Sequence, residues 1–330
     1  MKIGEVGERR LLSEIRSLVG MAHGARLGFD EDASDLAAVP ELNAVLNVDT
    51  FVSSTDRLPG MTSAQVGRKT AVMVLSDLVA KGVRPAASML SLCVPPDLDL
   101  SEALEFVRGY SQYGLKNGVT FIGGDTGSAP DTVLTGVAIG FCPPDRIVLR
   151  GGARPGDLIV VTDSFGLTSV AYRILLKGLD ASPTLRDRAL NAAYKPELHF
   201  GLVESLSRRE LVTAAMDSSD GLGVTLNMMA DQAGLSFSVN RLPISSGVQE
   251  FAAQHGLDLL ELIMNGGEEF SVVMTIPSDK IESAVSVGRL NKASLMVIGQ
   301  VSEGSGVRYV ADGVETVIPA RGYDNFREWS

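Results

Sequence analysis

The chain has 330 residues, with 29 Lys and Arg against 40 Asp and Glu and a net charge of −11. That balance argues against nucleic acid as a partner, because such binding neutralises phosphates with basic side chains. The length exceeds one ordinary core, so two α/β domains are expected, and no apolar run approaches the ~18 residues of a membrane span.

In chain order, MKIGEVGERRLLSEI is charged and lacks the apolar segment of a signal peptide. Leu11, Leu12, Ile15, Leu18 and Val19 predict an opening helix. AVLNVDTFV (44–52) reads as a strand. A long helix over roughly 62–82 carries Val66, Val72, Leu75 and Val79 on one face. A strand in ASMLSLCV, a helix over 101–116, and strands in VTFIGG and TVLTGVAIGF follow. The stretch 143–157, PPDRIVLRGGARPGD, has the Pro, Gly and charge content of a connection, dividing the chain into residues 1–148 and 149–330. Beyond it come a strand in DLIVVTD, helices near 166–178 and 196–207, a strand in VTAAMD, a helix after Gly221 and a strand in FSVVMTI. Short strands and turns fill the last forty residues. Cys93 and Cys142 belong to no CxxC pair, which points to a reducing compartment and a cytoplasmic protein.

Several acids share one arrangement, an apolar strand running into Asp beside small residues. Asp49 ends AVLNVD, Asp125 follows FIGG, and Asp217 ends VTAAM with Asp220 three residues on; Asp32 sits in GFDEDAS. Taken singly, each is as readily a helix cap or an Asx turn. Asp77 differs, because a carboxylate inside the apolar run AVMVLSDLVAKG needs a cation or a donor. Together the set suits Mg²⁺, a hard cation held by a few carboxylates and substrate phosphates, and so an acidic protein that binds a polyanion through divalent ions. His23, His199 and His255 are isolated, and neither a GxxxxGK[ST] loop nor a protein-kinase HRD or DFG motif is present.

The blocks GFDEDAS, VDT, VLSDLVAKGVRP, IGGDTG, LRGGARPGD, MDSSDGL, NGGEEF and RGYDNF occur in this order over nearly the whole chain. In them the sequence resembles the thiamine-monophosphate kinase family, within the superfamily of aminoimidazole ribonucleotide synthetase. The resemblance implies two α/β domains, with N-terminal sheets pairing into a barrel across a homodimer. It implies Mg²⁺ at Asp32, Asp49, Asp77, Asp125, Asp217 and Asp220. It implies ATP contacts at Gly124, Asp125, Arg150 and Ser219, and thiamine monophosphate at Glu268 and Tyr323. Asp56 stands near where relatives carry a substrate-side His, Glu31 stands where they carry Asp, and GGEE replaces GGED. No general base is expected, since the acceptor phosphate, with a second pKa of about 6, is already largely anionic. Another ATP-dependent member of the superfamily, or a noncatalytic nucleotide-binding protein, would carry the same aspartates.

Overall fold

The computed structural model describes residues 25–27 and 30–322. The predicted helix over 11–19 and Tyr323 lie outside the described residues. The first sheet has five strands in the order β1 (Ser34–Val39), β2 (Leu42–Val52), β5 (Val133–Cys142), β3 (Pro85–Val94), β4 (Thr120–Ser128). Its pairs are antiparallel except β3 with β4. A one-turn helix α1 (Ser53–Asp56) follows β2, and the long helices α2 (Ser63–Ala80) and α3 (Leu100–Lys116) cover one face. Helix α2 starts at Thr62, where a capping box with Gln65 satisfies two backbone N–H groups that the helix leaves unpaired. Its apolar residues Val66, Val72 and Leu75 pack with Val45, Phe51, Leu90 and Leu134 of the sheet. Burying each such side chain is worth about 1.5–3 kcal/mol.

The second sheet has seven strands: β12 (Val314–Val317), β11 (Gly306–Ala311), β8 (Ser236–Val239), β10 (Leu295–Ser302), β6 (Leu158–Thr162), β9 (Ser271–Ile276) and β7 (Ala214–Ser218), in that spatial order. Only the β11–β8 pair is parallel. Around it lie α4 (Leu167–Lys177), α5 (Pro183–Tyr194), α6 (Leu202–Arg208), α7 (Leu222–Ala233), α8 (Val248–His255), α9 (Leu259–Met264) and α10 (Ile281–Leu290). Phe165, Leu226, Phe237 and Val273 are among the core residues of this half. Both halves are therefore α/β layers on mixed sheets. Among the described residues no helix is long and apolar enough to cross a membrane, and both cysteines are free thiols.

Several elements differ from the sequence reading, a helix and a strand among them. The helix expected over 196–207 begins only at Leu202, while α5 occupies 183–194 ahead of it, capped by Ser182 with Pro183 in the first turn. Cap and proline are the sequence signal of that start. Strand β1, SDLAAV, was not anticipated; it is an edge strand with one buried residue in six, so it lacks the alternation that marks half-buried strands.

The connection after β5 runs against β7, and Gly152 permits this: a Cβ there would stand 2.1 Å from the Thr213 carbonyl oxygen. Ala215 N–H donates to the Leu149 carbonyl at 3.1 Å. This lays Arg150 between the two halves.

Candidate active site

Carboxylate oxygens of Asp32, Asp77 and Asp217 lie within 4.8 Å of one another. They come from three distant stretches: the turn before β1, helix α2 and strand β7. Helix α2 of the first half packs against β7 of the second half here. Ser76, beside Asp77 on α2, donates to Asp217 Oδ2 at 2.8 Å, tying α2 to β7. Asn47 on β2 donates to Asp77 Oδ2, with a second contact to the Val74 carbonyl at 3.3 Å. Asp49 lies two residues further along β2, on the same face as Asn47, and its charge raises the pKa of Asp77.

Burial, above all, pushes the Asp77 carboxyl well above the usual carboxylate range; Asp217 and Asp49 add to it, while Lys81 and Asn47 pull it back. Burial likewise raises Asp217, against Ser76, Arg150 and Lys81. Asp32 is held by two cations. Arg150 Nη2 donates to Oδ1, and Lys81 Nζ lies 2.7 Å from Oδ2. Oδ2 is buried and accepts no hydrogen bond. That oxygen, compensated by a charge and gathered with two further carboxylates, belongs to an all-oxygen group of the kind that suits a hard divalent cation.

Arg150 is fixed by its surroundings as well as by Asp32. Its Nη1 donates to the Asp30 carbonyl at 2.6 Å, and its backbone N–H reaches Glu31 Oε2 at 3.1 Å. Burial lowers the guanidinium pKa, while Asp217, Glu31 and Asp220 pull it up, which places Asp220 near the same group. Glu31 therefore anchors the turn carrying Asp32 to the connection between the halves.

Asp125 is not part of the three-carboxylate group. The strand register puts it in a row with Thr50, Thr135 and Ser91, one residue out of phase with Asp49, and it is exposed on the edge strand β4. Successive residues of a strand face opposite sides, so Asp125 and Asp49 point to opposite faces. Gly124 precedes it on the same edge, with the Leu90 carbonyl in front of it.

A second cluster lies further along α2. Lys69 is fully buried, and its Nζ stands 2.5 Å from Glu268 Oε1, while the Tyr172 hydroxyl donates to Glu268 Oε2. Burial raises the Glu268 carboxyl; Lys69 lowers it and Asp56 raises it, so Asp56 faces the same space. Asp56 also accepts the Val52 N–H at 2.7 Å, closing the turn of α1. Glu268 N–H donates to the Ser219 carbonyl at 2.5 Å. Glu268 and Phe270 both adopt left-handed backbone, φ 61° and 51°. Such conformations in residues with a Cβ concentrate at functional sites. Lys69, Lys81, Ser76 and Tyr172 were not singled out from the sequence. The signal that marks Asp77 does not reach the two lysines: Lys69 stands beside Arg68 and Thr70, and Lys81 lies just past the end of α2.

Two mixed-sheet α/β halves with an acidic, cation-compensated cluster at their junction define a class. Residues 30–142 match the AIR synthase related protein, N-terminal domain, and residues 154–312 match the AIR synthase related protein, C-terminal domain. A thiamine-monophosphate kinase of Nitrosopumilus maritimus is 31% identical over 86% of this chain and 90% of its own. One of Pyrobaculum calidifontis is 36% identical over 77% and 80%. A solved structure described as AaThiL complexed with AMPPCP and TMP shares the fold at TM-score 0.84, with 23% identity, covering 98% of this chain and 99% of that one. The chain belongs to the thiamine-monophosphate kinase family of AIR synthase related proteins.

Proposed function

We propose that the chain transfers the γ-phosphoryl group of ATP to the phosphate of thiamine monophosphate, giving thiamine diphosphate and ADP. The observation that carries this reading is the convergence of Asp32, Asp77 and Asp217 at the junction of the two halves, in a chain whose relatives bear that activity in their names. A protein of the same fold is described with AMPPCP and TMP together.

Asp32, Asp77 and Asp217 would hold Mg²⁺, with Asp49 and Asp220 beside them. Bound there, Mg²⁺ neutralises charge on the phosphates and on the group in transfer. Arg150, Ser219, Gly124 and Asp125 are assigned to the nucleotide, the last two from the edge strand β4. Asp56, Glu268 and Tyr323 are assigned to the acceptor. Glu268 offers a carboxylate to the positively charged thiazolium ring, held in place by Lys69 and Tyr172. The acceptor phosphate needs no general base, so the chain's contribution is to position two polyanions in line and compensate their repulsion.

Residues 1–148 are assigned as the ATP- and Mg²⁺-binding half that also dimerises, and residues 149–330 as the C-terminal half. Dimerisation is supported by the face of the first sheet turned away from α2. Val48 and Ile122 are each 61% exposed there, with Met89 and Thr50 beside them. A broad apolar sheet face is covered in most soluble proteins. Pairing two such sheets into a barrel across a homodimer covers it. The cytoplasm, which supplies ATP and keeps the two thiols reduced, is the fitting compartment.

The test is product analysis with Mg²⁺, ATP and thiamine monophosphate. Thiamine diphosphate should appear in step with ADP. ATP binding without any phosphorylated thiamine product would overturn the assignment and return the chain to the noncatalytic or cyclase-like alternatives.

A further inference from the structure

Lys81 follows the last residue of α2 and is 0% exposed. Lysine is almost never fully buried unless paired, because removing its charge from water is costly. Three oxygens surround its ammonium group. It donates to Glu31 Oε2 at 2.8 Å and to the Ala215 carbonyl at 3.0 Å. Its contact with Asp32 Oδ2 at 2.7 Å is an ion pair without a hydrogen bond, so that oxygen is held by charge alone. Glu31 also accepts the Arg150 N–H, and Arg150 holds the other oxygen of Asp32. Both oxygens of Asp32 therefore face a cation that belongs to the chain itself.

We propose that Lys81 is a built-in cation of the acidic site, which competes with a divalent ion for Asp32. Its counter-ion Glu31 moderates that competition. The pair sets how tightly the site takes up a divalent ion before nucleotide arrives. The inference rests on the divalent-cation reading above and deepens it. It also gives the Glu31 departure from the family pattern a physical role, since the longer carboxylate spans from Arg150 N–H to Lys81 Nζ.

The two partners act on metal affinity with opposite signs. Without the ammonium group, Asp32 keeps more of its negative charge for a metal. Without the charge on Glu31, the ammonium group acts on Asp32 undiluted, and Asp32 becomes a poorer ligand. A pair that served only to hold the turn in place would behave differently: breaking it from either side would loosen the site and weaken metal uptake in both cases.

Mn²⁺ alone, titrated into the full chain without nucleotide and followed by electron paramagnetic resonance, separates these cases. Lys81→Met should tighten the Mn²⁺ Kd about tenfold or more, and Glu31→Gln should weaken it about tenfold or more, a lower bound for a unit charge near a divalent ion at an effective dielectric of about 20. Lys81→Arg, which keeps the charge, should stay within about threefold of the unaltered chain, about 0.7 kcal/mol. Weaker or unchanged Mn²⁺ binding in Lys81→Met overturns the proposal. If Lys81→Met does not fold, Lys81→Gln, which keeps a donor toward Glu31 and the Ala215 carbonyl without the charge, decides: weaker or equal Mn²⁺ binding overturns the proposal. Failure of the unaltered chain to bind Mn²⁺ at all would instead overturn the divalent-cation reading, and this inference with it.

Discussion

Asp77→Asn tests the acidic cluster most directly, because it removes one of three negative charges while keeping the shape of the side chain. At 4.8 Å and an effective dielectric of about 20, each like-charge pair costs roughly 3 kcal/mol. The Asp77 charge is opposed first by burial and then by Asp217 and Asp49, and regains part of that through Lys81 and Asn47. A net stabilisation of about 2–3 kcal/mol follows for the metal-free chain, or several degrees in Tm for a protein of this size. Asn can still accept the Asn47 amide hydrogen, so the packing of α2 on β2 is kept. Turnover moves the other way: loss of a charge-compensating ligand costs about 10²–10³-fold in kcat. The assay is thermal unfolding in EDTA and in saturating Mg²⁺, paired with the rate of thiamine diphosphate formation. The variant should melt higher than the unaltered chain in EDTA and gain less from Mg²⁺. A lower Tm in EDTA together with near-normal turnover would refute the view that these carboxylates are gathered against their own repulsion for a cation.

Glu269 gives a pH prediction. Burial pushes its carboxyl from 4.5 to about 7, against hydrogen bonds from Gly166 and Thr168. Between those values the folded chain keeps a proton that the unfolded chain has released, so stability falls as pH rises from 4.5 to about 7 and is level above. The slope is worth up to about 3 kcal/mol; Glu269→Gln should remove it, and urea midpoints showing the same slope in the variant would refute this. Val48→Lys combined with Ile122→Lys should convert a dimer to monomers in light scattering, and an unchanged mass would count against the sheet face as the interface. Gly124→Ala places a Cβ 1.8 Å from the Leu90 carbonyl oxygen. The strand must shift, costing about 1–3 kcal/mol in denaturant unfolding, with weaker ATP binding; wild-type values for both would show that β4 yields freely.

Much of the fold was legible in the sequence because its signals are local. Helix α2 announces itself by Val72, Leu75 and Val79 on one face, and β2, β3 and β5 by short β-branched apolar runs. Strand β1 and the short helices α8 and α9 carry weak periodicity and were missed.

For the site, sequence by itself determined which residues could hold a hard cation: aspartates at strand ends, and one acid inside an apolar helix that demanded a partner. Only the tertiary structure decided which of them meet. Asp32, Asp77 and Asp217 converge across 185 positions of chain, from 32 to 217, whereas Asp125 falls on the opposite face of the sheet. Strand register and domain docking set that outcome, and both are determined by packing between segments far apart in the chain. The same holds for Lys69 and Lys81, whose buried ammonium groups look like ordinary helix charges until Glu268, Glu31 and Asp32 are folded against them.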